Sequence, residues 1–135
     1  MMGDILFQME DAVFSYRVAG ILIHRGRVLL QRSANDSGFA IPGGHAAFGE
    51  TNAETLRREF QEEMGASVSV GALKWVGECF FPWGNKPCHQ IGLYYEVFLE
   101  GVPAIPLEGT FVGKEQMENR RFEMEFHWEI GRAHV

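Results

Sequence analysis

The chain is short of positive charge, of cysteine and of long apolar runs. Its 135 residues carry 18 Asp and Glu against 12 Lys and Arg, a formal net charge of −6. A broadly basic surface that would grip a nucleic-acid polymer is therefore excluded. A phosphate-bearing substrate is not, because a bound divalent cation inverts the local charge. The two cysteines, Cys79 and Cys88, are too few for a disulfide framework and lack the CxxC spacing of a structural zinc site. They read as free thiols in a reducing compartment. No apolar run approaches the roughly 18–20 residues that span a bilayer. The opening MMGDILFQMEDAVF has acids where a secretory signal has Lys or Arg. The expectation is a soluble, cytoplasmic protein with no membrane partner. There is no internal repeat and no low-complexity segment.

What is present is enough for one domain. Hydrophobic residues make up 46% of the chain and aromatics 13%, sufficient for a packed core. Tyr16 to His24 is apolar on both faces, as a central strand is. Arg25-Gly26 is a turn, and Arg27 to Gln31 returns as a strand. Ser33 to Gly38 reads as a loop, and Phe39 to Ile41 as a short apolar stretch stopped by Pro42-Gly43-Gly44. Thr51 to Met64 is the clearest helix. Thr51 and Glu54 have capping-box spacing, Ala53, Leu56, Phe60 and Met64 form one stripe, and Gly65 stands where a C-terminal cap belongs. Val68 to Glu78 and Gln90 to Leu99 read as long strands joined by the linker FFPWGNKPC. Gly101 to Asn119 reads as irregular, and Arg121 to Trp128 as a last strand. The order predicts an α+β fold with a mixed or antiparallel sheet.

The chemistry concentrates on the helix. Glu62 and Glu63 lie three and four residues after Glu59, so the three carboxylates share one side, at the edge of the apolar stripe. A solvated acidic face is the commonest fate of such a run. Like charges at these spacings cost roughly 0.2–0.5 kcal/mol per pair, and no Lys or Arg is interleaved on that side. A hard divalent cation, Mg²⁺ or Mn²⁺, would relieve the repulsion. Gly43-Gly44 just upstream allows close backbone approach to a ligand.

Taken together, Gly44, five residues, Glu50, seven residues and Arg58-Glu59-Phe60-Gln61-Glu62-Glu63-Met64-Gly65-Ala66 resemble the Nudix box, GX5EX7REUXEEXGU. Every fixed position matches; Ala66 is smaller than the usual bulky aliphatic. The resemblance covers about a sixth of the chain. It implies the Nudix fold, a mixed sheet between helices, and a MutT-like hydrolase. The reaction would be Mg²⁺-dependent cleavage of a nucleoside diphosphate linked to X, giving a nucleoside monophosphate and phosphorylated X. The partner would be a small nucleotide: a nucleoside triphosphate, a nucleotide sugar or a dinucleoside polyphosphate. Residue by residue, Glu62 and Glu63 would hold metal, and Glu59 would hold metal or act as general base. The Gly43 carbonyl would add a ligand. Arg58 would orient a catalytic Glu, with Glu50, Gly44 and Gly65 in structural support. An ordinary helix pair of Arg58 with Glu54 is the competing reading. Glu96, Glu100, Glu108, Glu115 and Glu118 are candidate bases outside the box.

Substrate contacts are less defined. Phe81 and Trp83 could stack on a base, against a packing role in the hairpin. Arg17 and Arg32 could meet phosphates, though exposed arginines usually do not, and the histidines show no ligand spacing. The alternative function is a catalytically silent nucleotide-binding or regulatory module of the same fold. An isomerase on that fold is a third. Nudix proteins are often dimers, so a homodimer is a further expectation. Finally, Ile130 to Val135 reads as the translation of a common sequencing adapter. We therefore expect the domain to occupy residues 1–128, a non-native tail to occupy 129–135, and a C-terminal covering helix to be missing from this chain.

Overall fold

A computed structural model describes residues 3–33, 38–117 and 120–130. Strands β1 (Leu6–Gln8), β2 (Val13–His24), β3 (Arg27–Ser33) and β4 (Gly43–His45) precede the helix α1 (Asn52–Met64). Strands β5 (Val68–Trp83), β6 (Lys86–Leu99), β7 (Thr110–Met117) and β8 (Arg120–Ile130) follow it. The sheet runs β5-β6-β2-β3-β8-β7, with β1 and β4 also paired to β2. β2 and β6 run parallel, and the other pairings are antiparallel. The expected α+β class and mixed sheet are observed, and α1 is the one α-helix among the described residues.

The site owes its position to a divergence in this sheet. β2 and β3 pair only through Ile23↔Val28 and His24↔Arg27, next to their turn. Both turn residues, Arg25 and Gly26, have positive φ, which matches the twist of a tight hairpin. Beyond it β3 leaves with β8, and the vacated edge of β2 is taken by β4 at Arg17–Ala19 and by β1 at Val13–Ser15. α1 packs against β2, β4, β5 and β7, so it contacts both halves.

The helix begins and ends where its local chemistry dictates. Thr51 accepts from the Glu54 amide while Glu54 reaches back to the Thr51 amide, and Gly65 caps the C-terminus in the left-handed region. Leu56 and Phe60 are fully buried, among Val18, Leu22, Val68, Val97 and Phe126. Burying a side chain of that size contributes about 1.5–3 kcal/mol. At the helix start, Tyr16 donates to Asn52 Oδ1 at 3.0 Å and Asn52 donates to Tyr95 Oη at 2.8 Å. The two bonds tie α1 to β2 and β6.

Three expectations need correction, and one strand had no counterpart in the sequence reading. Gly43 and Gly44, read with Pro42 as the stop to the apolar stretch Phe39 to Ile41, open strand β4 (Gly43–His45), held by its pairing with β2. FFPWGNKPC is not a linker: β5 and β6 run through it as one hairpin, Pro82 opposite Pro87, turning at Gly84-Asn85. Residues within Gly101–Asn119 include strand β7, whose Phe111 stacks on Phe126 at 5.1 Å. β1 was not anticipated at all. Cys88 lies opposite Phe81, and Cys79 opposite Gln90, so the cysteines do not face each other, and both are free. Glu129 and Ile130 pair with Val28 and Arg27 in the last strand; residues 131–135 of the expected tail lie outside the described residues. No helix among the described residues is long and apolar enough to cross a membrane.

Candidate active site

The α1 carboxylates reach a cleft of about 270 Å³ between the helix, β2, β3 and β4. Glu59, Glu62 and Glu63 line it, with Arg58, Gly43 and Gly44. They differ in environment. Glu59 is 9% exposed and Glu63 2%, while the Glu62 side chain is 59% exposed. This is the expected placement at the edge of the apolar stripe: two acids turn inward and one faces water.

Arg58 organises the helix side of the cleft. Its Nε and Nη2 donate to the two Glu50 oxygens at 2.7 and 2.9 Å. Nη1 donates to Glu59 Oε1 at 2.9 Å and to Glu62 Oε2 at 3.3 Å. Nη2 also donates to the His45 carbonyl at 3.2 Å. The five N–H groups of a guanidinium are thereby matched by five contacts. The helix pair with Glu54 gives way to this arrangement, since Glu54 is engaged in the capping box. Glu50 also accepts from the Ala47 amide and from Thr55 Oγ1, each at 3.0 Å. The Arg58 hydrogen bonds are the main reason its carboxyl is pulled down to about 2. The same bonds push the Arg58 pKa up. Glu50 is therefore the anchor of Arg58, on the loop that leads into the helix.

The two glycines are required by close approach. A Cβ on Gly44 would overlap the Glu59 carboxylate, and one on Gly43 would overlap the Val18 carbonyl across the strand pair. The Glu59 carboxylate thus occupies the space that a side chain at 44 would fill.

The donor set is all oxygen, which suits Mg²⁺ or Mn²⁺. Among the described residues, however, no three His, Cys, Asp or Glu side chains converge as a ready group of ligands. Arg58 holds Glu59 and Glu62, so Glu62 would have to turn away from it to take a cation. As the residue on the exposed side of the helix, it is free to do so. The carboxylate chemistry fits a divalent cation, while Glu59 and Glu62 stand ion-paired with Arg58.

Several other residues line the cleft. Arg17, Gln31 and His45 form its sheet wall, with Asp4 and Met124. His45 carried no ligand spacing, yet as the first residue after Gly44 on β4 it faces the site. Burial lowers its pKa, and its Nε2 lies 2.9 Å from Ser15 Oγ, which donates to Gln90 at 3.0 Å. Trp83 sits edge-on to His45 at 6.3 Å but is not among the described residues that line the cleft. Phe81 does not join it; it lines a separate groove with Phe80, Pro82 and Pro87. Arg32 pairs with Glu125 at 2.8 Å, and Glu96 with Lys74 at 3.4 Å. Glu96, Glu100 and Glu108 are not among the cleft residues, and the side chains of Glu115 and Glu118 lie outside the described residues.

Fold and site together define a class: α+β proteins in which one helix edge presents clustered carboxylates beside a double-glycine strand. The NUDIX domain model matches residues 15–128. The chain belongs to that family. A nucleoside triphosphatase NudI of Enterobacter sp. (strain 638) is 32% identical over 95 residues, covering 67% of this chain and 62% of that protein. This chain thus spans less than two thirds of that relative's length. A MutT NUDIX hydrolase from Burkholderia pseudomallei shares the fold with a TM-score of 0.61 at 20% identity, over 87% of this chain and 83% of that one. A UDP-X diphosphatase shares it at 0.55 and 19% identity, over 84% of this chain and 50% of that one.

Proposed function

We propose that the chain is a divalent-cation-dependent pyrophosphohydrolase. Its substrate would be a nucleoside diphosphate linked to X, and its products a nucleoside monophosphate and phosphorylated X. The observation that carries this reading is that Glu59, Glu62, Glu63, Arg58 and Gly43-Gly44 line one cleft. The similar NudI is named a nucleoside triphosphatase, which puts nucleoside triphosphates first among the substrates to try.

Glu59, Glu62 and Glu63, with the Gly43 carbonyl, would hold Mg²⁺. When bound, the cation neutralises the diphosphate and lowers the pKa of a water. The protein's own part is positioning, which dominates phosphoryl transfer. Glu50 fixes Arg58, and Arg58 fixes Glu59 through Oε1. Glu59, so oriented, would bind the cation or accept the proton of the attacking water. Trp83, beside His45, would stack on the base.

The test is incubation with a panel of nucleoside triphosphates, nucleotide sugars and dinucleoside polyphosphates, with and without Mg²⁺, with products identified by mass. Mg²⁺-dependent release of a nucleoside monophosphate is expected. No turnover of any substrate would favour the silent binding module.

A further inference from the structure

Among the described residues, two guanidiniums line the cleft, on opposite walls, and they are differently engaged. Arg58 has five contacts for its five N–H groups, four of them to carboxylates, and so has little left to offer a ligand. Among the described residues the Arg17 side chain makes one hydrogen bond, from Nη2 to the Ile41 carbonyl at 2.7 Å. It forms no ion pair with a described residue. The Ile41 bond holds the guanidinium toward the turn into β4. Its other N–H groups have no acceptor among the described residues. The residue sits on the long central strand, in register with His45 of β4, so its backbone is fixed relative to Gly43 and Gly44.

A second observation comes from the same wall. Gln31 is 7% exposed and lines the cleft, and its Oε1 is buried without a hydrogen-bond donor among the described residues. Leaving such an acceptor unmatched costs about 1–3 kcal/mol. A ligand that brings both anionic oxygens and proton donors would match Arg17 and Gln31 together. A diphosphate carried in with its hydration water has both.

We propose that Arg17 is the anion anchor of this cleft, binding phosphoryl oxygens of the diphosphate from the sheet wall, while Gln31 accepts a hydrogen bond from water held with it. The planar fork of a guanidinium suits two phosphate oxygens at once, which an ammonium does not. The inference rests on the proposed function, because it takes the diphosphate to lie against the α1 carboxylates. It adds the residue that recognises the anion and divides the labour: the helix carboxylates bind the cation, and Arg17 binds the phosphate.

The experiment uses the full chain, with Mg²⁺ alone and inorganic pyrophosphate as probes, followed by calorimetry. Arg17→Ala is expected to weaken pyrophosphate binding in saturating Mg²⁺ by about tenfold to a hundredfold, the range for one charge-assisted contact. Arg17→Lys should restore part of it. The affinity for Mg²⁺ alone should not move, a result that a merely structural role for Arg17 would not give. Should Arg17→Ala fail to fold, Arg17→Lys against Arg17→Gln carries the same comparison. If wild type binds pyrophosphate and Arg17→Ala or Arg17→Gln binds it equally well, the inference is overturned and the proposed function stands. If wild type binds neither Mg²⁺ nor pyrophosphate, both are overturned.

Discussion

Replacing Glu50 with Gln should loosen Arg58 and, through it, the site. In the native protein two Arg58 N–H groups meet two Glu50 oxygens at 2.7 and 2.9 Å. The Gln side chain keeps one oxygen and turns an NH₂ toward the other donor. One charge-assisted bond is lost and a donor–donor contact replaces it. Such bonds contribute about 1.5–3 kcal/mol each. The side chains of Arg58 and Glu50 are 30% and 21% exposed, so solvent screening places the expected destabilisation at about 1.5–2.5 kcal/mol. The pH dependence has a definite sign. The Glu50 carboxyl is held at about 2, below its ordinary 4.5. Its contribution is therefore fully present above pH 4.5 and is lost as pH falls through about 2. Urea unfolding of wild type and Glu50→Gln, repeated from pH 7 toward pH 2, should show a gap that narrows in that window. Turnover should fall by about a hundredfold, since Glu59 loses the group that orients it. A gap below about 0.5 kcal/mol at pH 7, or one that persists unchanged to pH 2, would refute the anchoring of Arg58 by Glu50.

Gly44→Ala places a methyl group where the Glu59 carboxylate sits; activity should drop by at least about a hundredfold while circular dichroism remains native, and near-normal activity would contradict the close approach. Thr51→Ala removes the acceptor for the Glu54 amide and should cost about 1 kcal/mol in chemical denaturation, with no change in KM.

The helix was readable because its signals are local. Thr51, Glu54 and Gly65 act within a few residues of themselves, and the carboxylate spacing survives into the cleft. The missed elements depend on distant partners. Gly43 and Gly44 have no side chains to announce a strand; β4 exists because β2 offers an edge that β3 has left. Pro82 and Pro87 read as breakers, yet they stand opposite one another near the hairpin turn, where two absent amide donors break little of the ladder. β7 hides behind the Gly/Pro-rich stretch before it and is revealed by its pairing with β8. The sheet wall of the cleft could not be read from spacing. Arg17, Gln31 and His45 come from three strands, and only the divergence of β2 and β3 brings them together. Arg32, equally eligible as a phosphate ligand by composition, is engaged by Glu125 instead.

The α1 carboxylates and the cleft they line are expected to bind a divalent cation. Titration of the protein with Mn²⁺, followed by electron paramagnetic resonance of the free ion, tests it most directly. Saturable binding is expected in wild type, weakened at least about tenfold by Glu63→Gln and by Glu59→Gln, with both variants folded. Binding left unchanged by both substitutions would contradict the account.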